Sequence, residues 1–106
     1  MRLLKKIELP NIQIELSGRF NIELEESPTE VKVAFQETLE LFLENPYHPS
    51  LRSHLLKEKY YEYRSIDVTG DWRALFRVKQ NKDNIIVLFH ILGTHSQLYG
   101  KEVKSK

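Results

Sequence analysis

The stretch WRALFRVKQNKDNIIVLFHILGTHSQLYG, residues 72–100, decides the fold. Trp72, Ala74, Phe76 and Val78 alternate with Arg73, Leu75 and Arg77, the period-two pattern of a strand with one buried face. IIVLFHIL, residues 85–92, is a second strand-like run. The polar linker Gln80-Asn81-Lys82-Asp83-Asn84 between them is short and turn-rich, which suits a hairpin. Upstream, YYEYRSIDV (60–68) joins the first run through Thr69-Gly70-Asp71, so three successive strands are expected to pair antiparallel. Gly93 breaks the last run. His95, Ser96 and Tyr99 follow it, and the stretch leaves open whether His95 is a reactive group at the lip of a sheet or a polar residue in a closing turn.

Working back toward the amino terminus, Ile12, Ile14 and Leu16 alternate with polar neighbours and read as a strand. SGRFNIELEES (17–27) alternates at Phe20, Ile22 and Leu24 yet is rich in glutamate, so strand and helix both stand. SPTEVKVAFQETLELFLENP (27–46) is a helix: Ser27 suits the cap, Pro28 the first helical position and Glu30 a capping box. Val31, Phe35, Leu39 and Phe42 then recur at helical spacing up to Asn45-Pro46. PYHPSLRSHLL (46–56) suits a short helical turn. The expected fold class is α+β, an antiparallel twisted sheet with helices packed on one face, in one domain over residues 1–106.

A chain of 106 residues with 41% hydrophobic content can bury a modest core. It has no cysteine, so neither a disulfide framework nor a thiolate metal site is available. The amino-terminal Met1-Arg2-Leu3-Leu4-Lys5-Lys6 is charged too early for a signal peptide, and no apolar run approaches membrane-spanning length. A cytoplasmic protein without membrane partners is expected. The net charge of +1 conceals a split: five Lys or Arg stand against nine Glu up to Glu44 (−4), and eleven against six acids from Asn45 onward (+5). A polyanion would meet the carboxy-terminal half.

On the strand face opposite the apolar set lie Arg73 and Arg77, with Tyr63, Ser65 and Asp67 from the preceding strand. Arginine presents a planar fork of donors to phosphate and tyrosine can stack on a base, so the mixture suits RNA. Arg64, Arg73 and Arg77 are the candidate phosphate ligands. His90, within an apolar run, reads as a structural, hydrogen-bonded imidazole, and His48 as a loop residue. The chain lacks a His-Glu-x-x-His helix, a glycine-rich phosphate loop and a serine elbow, so no metal and no cofactor is expected.

The span LFLENPYHPSLRSHLLKEKYYEYRSIDVTGDWRALFRV, followed by ILGTHSQLYG, resembles the RelE superfamily of type II toxin-antitoxin toxins, especially its YafQ-like branch. Gly93-Thr94-His95 with Tyr99 is the most specific piece, and Asp71-Trp72 is a second anchor. The resemblance implies a metal-independent ribonuclease that cuts messenger RNA on the ribosome and is silenced by a cognate antitoxin. Matched position by position, it implies functional roles for His54, Asp71, His95 and Tyr99. Three places depart from the family pattern: Asp67 replaces a histidine, Ile91 replaces an arginine, and the acidic FNIELEES replaces a basic helix. ParE-like toxins, which share the fold and act by binding gyrase, are the alternative implied by the same resemblance.

Cleaving RNA through its own 2'-hydroxyl needs a base, a cation for the phosphorane oxygens and an acid for the departing 5'-oxygen. His95 and His54 suit the acid and base parts, Arg73 and Arg77 the charge, Asp67 or Asp71 the orientation of a histidine or the base itself, and Tyr99 the contact with substrate. The charge split predicts that single-stranded RNA binding weakens steeply with added salt, as counterion release requires. Titrations by fluorescence anisotropy across a salt series test this, and a flat salt dependence would point to an apolar partner surface.

Overall fold

In a computed structural model the described residues are 11–55, 62–80 and 84–104. Strand β1 (Asn11–Leu16) leads into helix α1 (Gly18–Glu25) and helix α2 (Thr29–Glu44). A 3-10 turn at Pro49–Leu51 is followed by strands β2 (His54–Leu55), β3 (Arg64–Asp67), β4 (Trp72–Gln80) and β5 (Asn84–Thr94), and then by helix α3 (His95–Lys104). The five strands are ordered β1-β5-β4-β3-β2.

The α+β class expected from the sequence holds, with two refinements. The pairs β2–β3, β3–β4 and β4–β5 are antiparallel, but β1 lies parallel to β5, with Ile12 opposite Ile85 and Leu16 opposite Phe89, which makes the sheet mixed. The two helices between β1 and the hairpins provide the crossover that a parallel neighbour needs. The second refinement is that α3 packs on the face of the sheet opposite α1 and α2. The expected 60–68 strand and 80–84 turn fall partly on residues 56–61 and 81–83, outside the described ones.

The main core lies under α1 and α2. Val31, Phe35, Thr38 and Phe42 form the buried stripe of α2, and Phe20 is the buried residue of α1. They close on Ile66, Ala74, Phe76, Val87, Phe89 and Leu92 from the sheet. Phe89 is fully buried and meets Phe76, Phe35, Phe20 and Phe42 with ring centroids 5.2, 5.4, 5.6 and 6.1 Å away. These separations and tilted geometries are the favourable ones for aromatic pairs. A smaller cluster of Leu75, Ile91 and Leu98, flanked by Tyr63 and Tyr99, sits on the other face.

The segment 17–27, ambiguous by periodicity, resolves as α1. Ser17 caps it by accepting from the Phe20 N–H at 3.0 Å. Ser27 is not the cap of α2, because its hydroxyl donates back to the Leu24 carbonyl at 2.6 Å and closes α1 instead. Pro28 occupies the N-cap position of α2, without a side-chain cap bond, rather than the first helical one.

A bulge in β5 sets both faces. Leu75 pairs with Ile91 and Phe76 with Phe89, which leaves His90 as the extra residue. Val87 and Phe89 therefore point into the main core, Ile91 into the small cluster, and Leu92 into the main core again. The irregular backbone there is satisfied from α1: Ser17 donates from its N–H to the Phe89 carbonyl at 2.9 Å and from Oγ to the His90 carbonyl at 3.0 Å. Glu23 Oε1 accepts from the Leu92 N–H at 2.7 Å, beyond the point where β1 has ended. Replacing Glu23 with alanine is expected to strand that amide and to cost about 1–3 kcal/mol. Denaturant unfolding measures the loss, and hydrogen exchange should show the Leu92 amide exchanging faster than in wild type.

Candidate RNA-facing site

Helix α3 begins where the sequence alone suggested a turn, and its first residues carry the reason. Thr94-His95-Ser96-Gln97 is a capping box. Thr94 Oγ1 accepts from the Gln97 N–H at 3.0 Å, and Gln97 Oε1 accepts from the Thr94 N–H at 2.9 Å. His95 is thereby the first helical residue, and its N–H donates to the Asp71 carbonyl at 3.0 Å, tying the start of α3 to the β3–β4 turn. One helical turn on, the Tyr99 ring meets the His95 imidazole edge to face, centroids 4.6 Å apart. The imidazole is exposed while Tyr99 is half-buried against the Leu75, Ile91 and Leu98 cluster. Gly93 permits the close approach of α3 to β5, since a Cβ there would lie 3.2 Å from Gln97 Oε1 and 3.3 Å from Leu98 Cδ2.

The β3–β4 turn is braced by its own residues. Thr69 Oγ1 accepts from the N–H groups of Asp71 and Trp72 at 3.2 and 3.1 Å, and the Arg73 guanidinium donates to the Gly70 carbonyl at 3.2 Å. Asp67 holds that guanidinium from the neighbouring strand, with Oδ1 3.2 Å from Arg73 Nε and Oδ2 3.2 Å from Arg52 Nε. Both carboxylate oxygens are therefore engaged by arginine. Arg52 reaches Asp67 from a left-handed backbone position, φ 51°, that ends the 3-10 turn.

Of the residues named from the sequence, Asp67, Asp71, Arg73, Arg77, His95 and Tyr99 lie on or at the rim of the face that carries α3. Arg73 and Arg77 occupy it as expected. Phe76 is buried on the opposite side and Trp72 is half-buried against the core there. Arg73 is engaged with Asp67 and the turn, however, and Arg77 pairs with Glu62 at 2.7 Å while lying over the Tyr63 ring, 5.5 Å from its centroid. Arg64 is not brought to the group. It pairs with Phe76 across the β3–β4 ladder, donates to Ser53 Oγ at 3.3 Å, and lines a small cavity with Phe42 and Tyr47 on the α2 side. His54 enters β2 opposite Ser65, and its side chain lies outside what is described. Ile91, at the position of the family arginine, is buried beneath α3.

Sequence reading passed over two residues of this face as reactive groups. His90 stands on the bulge with Nδ1 3.0 Å from the Tyr63 hydroxyl, and the two rings meet edge to face at 5.6 Å. The signal that could have flagged His90 is a lone polar residue in an otherwise apolar run, a place where a bulge re-aims side chains. The Thr-x-x-Gln spacing was the corresponding signal for the start of α3. Ser65 Oγ, fully buried on this face, has no hydrogen-bond partner among the described residues.

This arrangement of a five-stranded mixed sheet with two helices on one side and a closing helix on the other is the fold of the solved YafQ and YoeB/ParE structures. YafQ from E. coli strain BL21(DE3) matches with a TM-score of 0.69 at 21% identity, covering 85% of this chain and 100% of that one. A YoeB/ParE toxin from Agrobacterium tumefaciens matches at TM-score 0.65 and 13% identity, over 78% of this chain and 98% of its own. An E. coli DinJ-YafQ complex matches at TM-score 0.59 and 23% identity, over 85% and 100%. At such identities the likeness is one of fold. No protein-family model and no curated protein matches the chain.

Thr94→Ala is expected to remove the cap of α3 at a cost of about 1 kcal/mol and to loosen the His95–Tyr99 contact without altering either ring. Unfolding curves give the cost. Tyr99 ring resonances that keep their wild-type shifts in this variant would show that the cap does not hold the pair.

Proposed function

We propose that this chain is the toxin of a type II toxin-antitoxin pair and acts in the cytoplasm as an endoribonuclease on messenger RNA bound to the ribosome. The observation that carries the reading is the His95–Tyr99 pair at the first turn of α3, anchored to Asp71 on the fold of YafQ. One nearby fold match is YafQ in complex with DinJ, described as a toxin-antitoxin complex, which supports an antitoxin as partner.

The chemistry needs no metal. One histidine takes the proton of the 2'-hydroxyl as its oxygen attacks phosphorus, and another delivers a proton to the departing 5'-oxygen. This leaves a 2',3'-cyclic phosphate and a 5'-hydroxyl. His95 supplies one of these parts, and its place at the positive end of α3 favours the approach of a phosphodiester. His54, carried by β2, is assigned the other. Arg73 neutralises charge on the phosphorane oxygens, and Asp67 positions that guanidinium. Of the roles open to Asp67, orientation fits a carboxylate with both oxygens on arginines better than that of base. Tyr99 stacks on or hydrogen-bonds the substrate, and Asp71 ties the β3–β4 turn to the start of α3 through its carbonyl.

A second reading has its own support. The YoeB/ParE match, the burial of Ile91 where the family has an arginine, and the acidic α1 favour a toxin that works by protein binding alone, against gyrase or its antitoxin. Translation of a defined message in vitro, with cuts mapped by primer extension, separates the two. The expected result is cleavage by wild type and a loss of about 10²- to 10⁴-fold in His95→Ala, with stability unchanged within about 0.5 kcal/mol because the imidazole is exposed. A stable His95→Ala protein that cuts like wild type would remove His95 from the mechanism. Intact message with wild type hands the lead to the binding reading.

A further inference from the structure

A second histidine-tyrosine pair stands on the same face, and the mechanism above does not use it. His90 and Tyr63 meet through Nδ1 and the hydroxyl at 3.0 Å. Arg77 covers the Tyr63 ring. Tyr63 and Tyr99 flank the same apolar floor of Leu75, Ile91 and Leu98, so the two pairs border one surface.

We propose that Tyr63, Arg77 and His90 form a second nucleotide subsite, holding a phosphodiester a few nucleotides along a single RNA strand whose scissile position lies at His95 and Tyr99. The inference rests on the reading of the protein as an RNA-cutting toxin and extends it to substrate positioning. Distance separates the subsites. At roughly 3.3 Å per strand residue, the stretch from His90 to His95 spans on the order of 15 Å, against about 3.4 Å of rise per nucleotide in a stacked strand. One phosphate cannot touch both pairs, whereas an extended strand crosses them in turn.

The side chains suit that task. His90 has Nδ1 on the tyrosine hydroxyl, and its Nε2 has no partner among the described residues, which leaves it to meet a phosphate oxygen. Arg77 is tied to Glu62 only by a surface ion pair, an interaction of small net strength, so its guanidinium can exchange the carboxylate for the RNA backbone. Tyr63 holds the guanidinium over its ring, 5.5 Å from the centroid, and meets the imidazole edge to face. The bulge adds the histidine: without the extra residue, the β5 side chain next to Ile91 on this face would be the apolar Leu88.

The test uses the full chain and a short 2'-O-methyl oligoribonucleotide, which binds but cannot be cut because its 2'-oxygens are blocked. Fluorescence anisotropy gives Kd for wild type, His90→Gln, Tyr63→Phe, Arg77→Gln and His95→Gln, with unfolding curves for each. The expected result is binding about tenfold weaker in His90→Gln and in Arg77→Gln. The salt slope of log Kd should fall by about one in Arg77→Gln, as for a lost phosphate contact, and the His90 imidazole resonances should shift when the oligonucleotide is added. If His90 and Tyr63 only brace the bulge, their variants lose stability while Kd, salt slope and resonance shifts stay at wild-type values, and the subsite is overturned. Should His95→Gln alone weaken binding, the subsite fails and the RNA-cutting reading stands. If wild type does not bind the oligonucleotide at any salt concentration, the subsite is overturned, and message cleavage on programmed ribosomes decides the RNA-cutting reading separately.

Discussion

One surplus residue in β5 organises this molecule. A regular strand would alternate without interruption through Phe89, His90, Ile91 and Leu92, sending Ile91 into the aromatic core and Leu92 to the other side. The bulge at His90 reverses the parity midway. Phe89 can then serve as the hub of the phenylalanine cluster while Ile91, two residues later, forms the floor beneath α3. With His90 in the chain, both hydrophobic clusters keep their residues because the irregularity absorbs it, and it adds a polar group to the face between the helix and the hairpins.

The irregularity is sustained from a distance. A bulge leaves backbone groups that the neighbouring strand cannot reach, and burying them without partners would be costly. Ser17 and Glu23 supply those partners just where β1 has run out, so α1 continues the sheet edge with side chains in place of backbone. This gives the acidic amino-terminal half a structural meaning. Glu23 is held between a main-chain amide and Arg19, 2.8 Å away, and is not simply part of a solvated negative surface. Of the departures from the family pattern, this one belongs as much to folding as to the affinity for a polyanion.

How far the fold was legible follows from which forces are local. The stripe of α2, the period-two pattern of β4 and the β3–β4 turn are set by neighbours in sequence, and each was readable. The parallel pairing of β1 with β5 was not, because partner choice depends on the crossover rather than on the strand's own residues. The bulge was not read either, since IIVLFHIL gives no alternation from which a slip could be noticed and is marked only by its lone polar residue, His90. At the site, His95, Tyr99 and Asp71 came from the motif they share with a family. The engagement of Asp67 by two arginines and the separation of Arg64 onto the other face came only with register.

The arithmetic of the bulge also bears on how such a face can be altered. Substituting His90 leaves its neighbours where they are, and so, in principle, does omitting it. With that residue gone, Phe89, Ile91 and Leu92 would fall into plain alternation with their present orientations intact, and the ladder with β4 would close without a kink. Omitting any single residue between Asn84 and Phe89 would instead shift every strand position before the omission against β1 and β4. His90 is thus an addition that the sheet geometry does not need, a length change confined to one point. A surface equipped in this way can gain or lose a functional group without repacking either core.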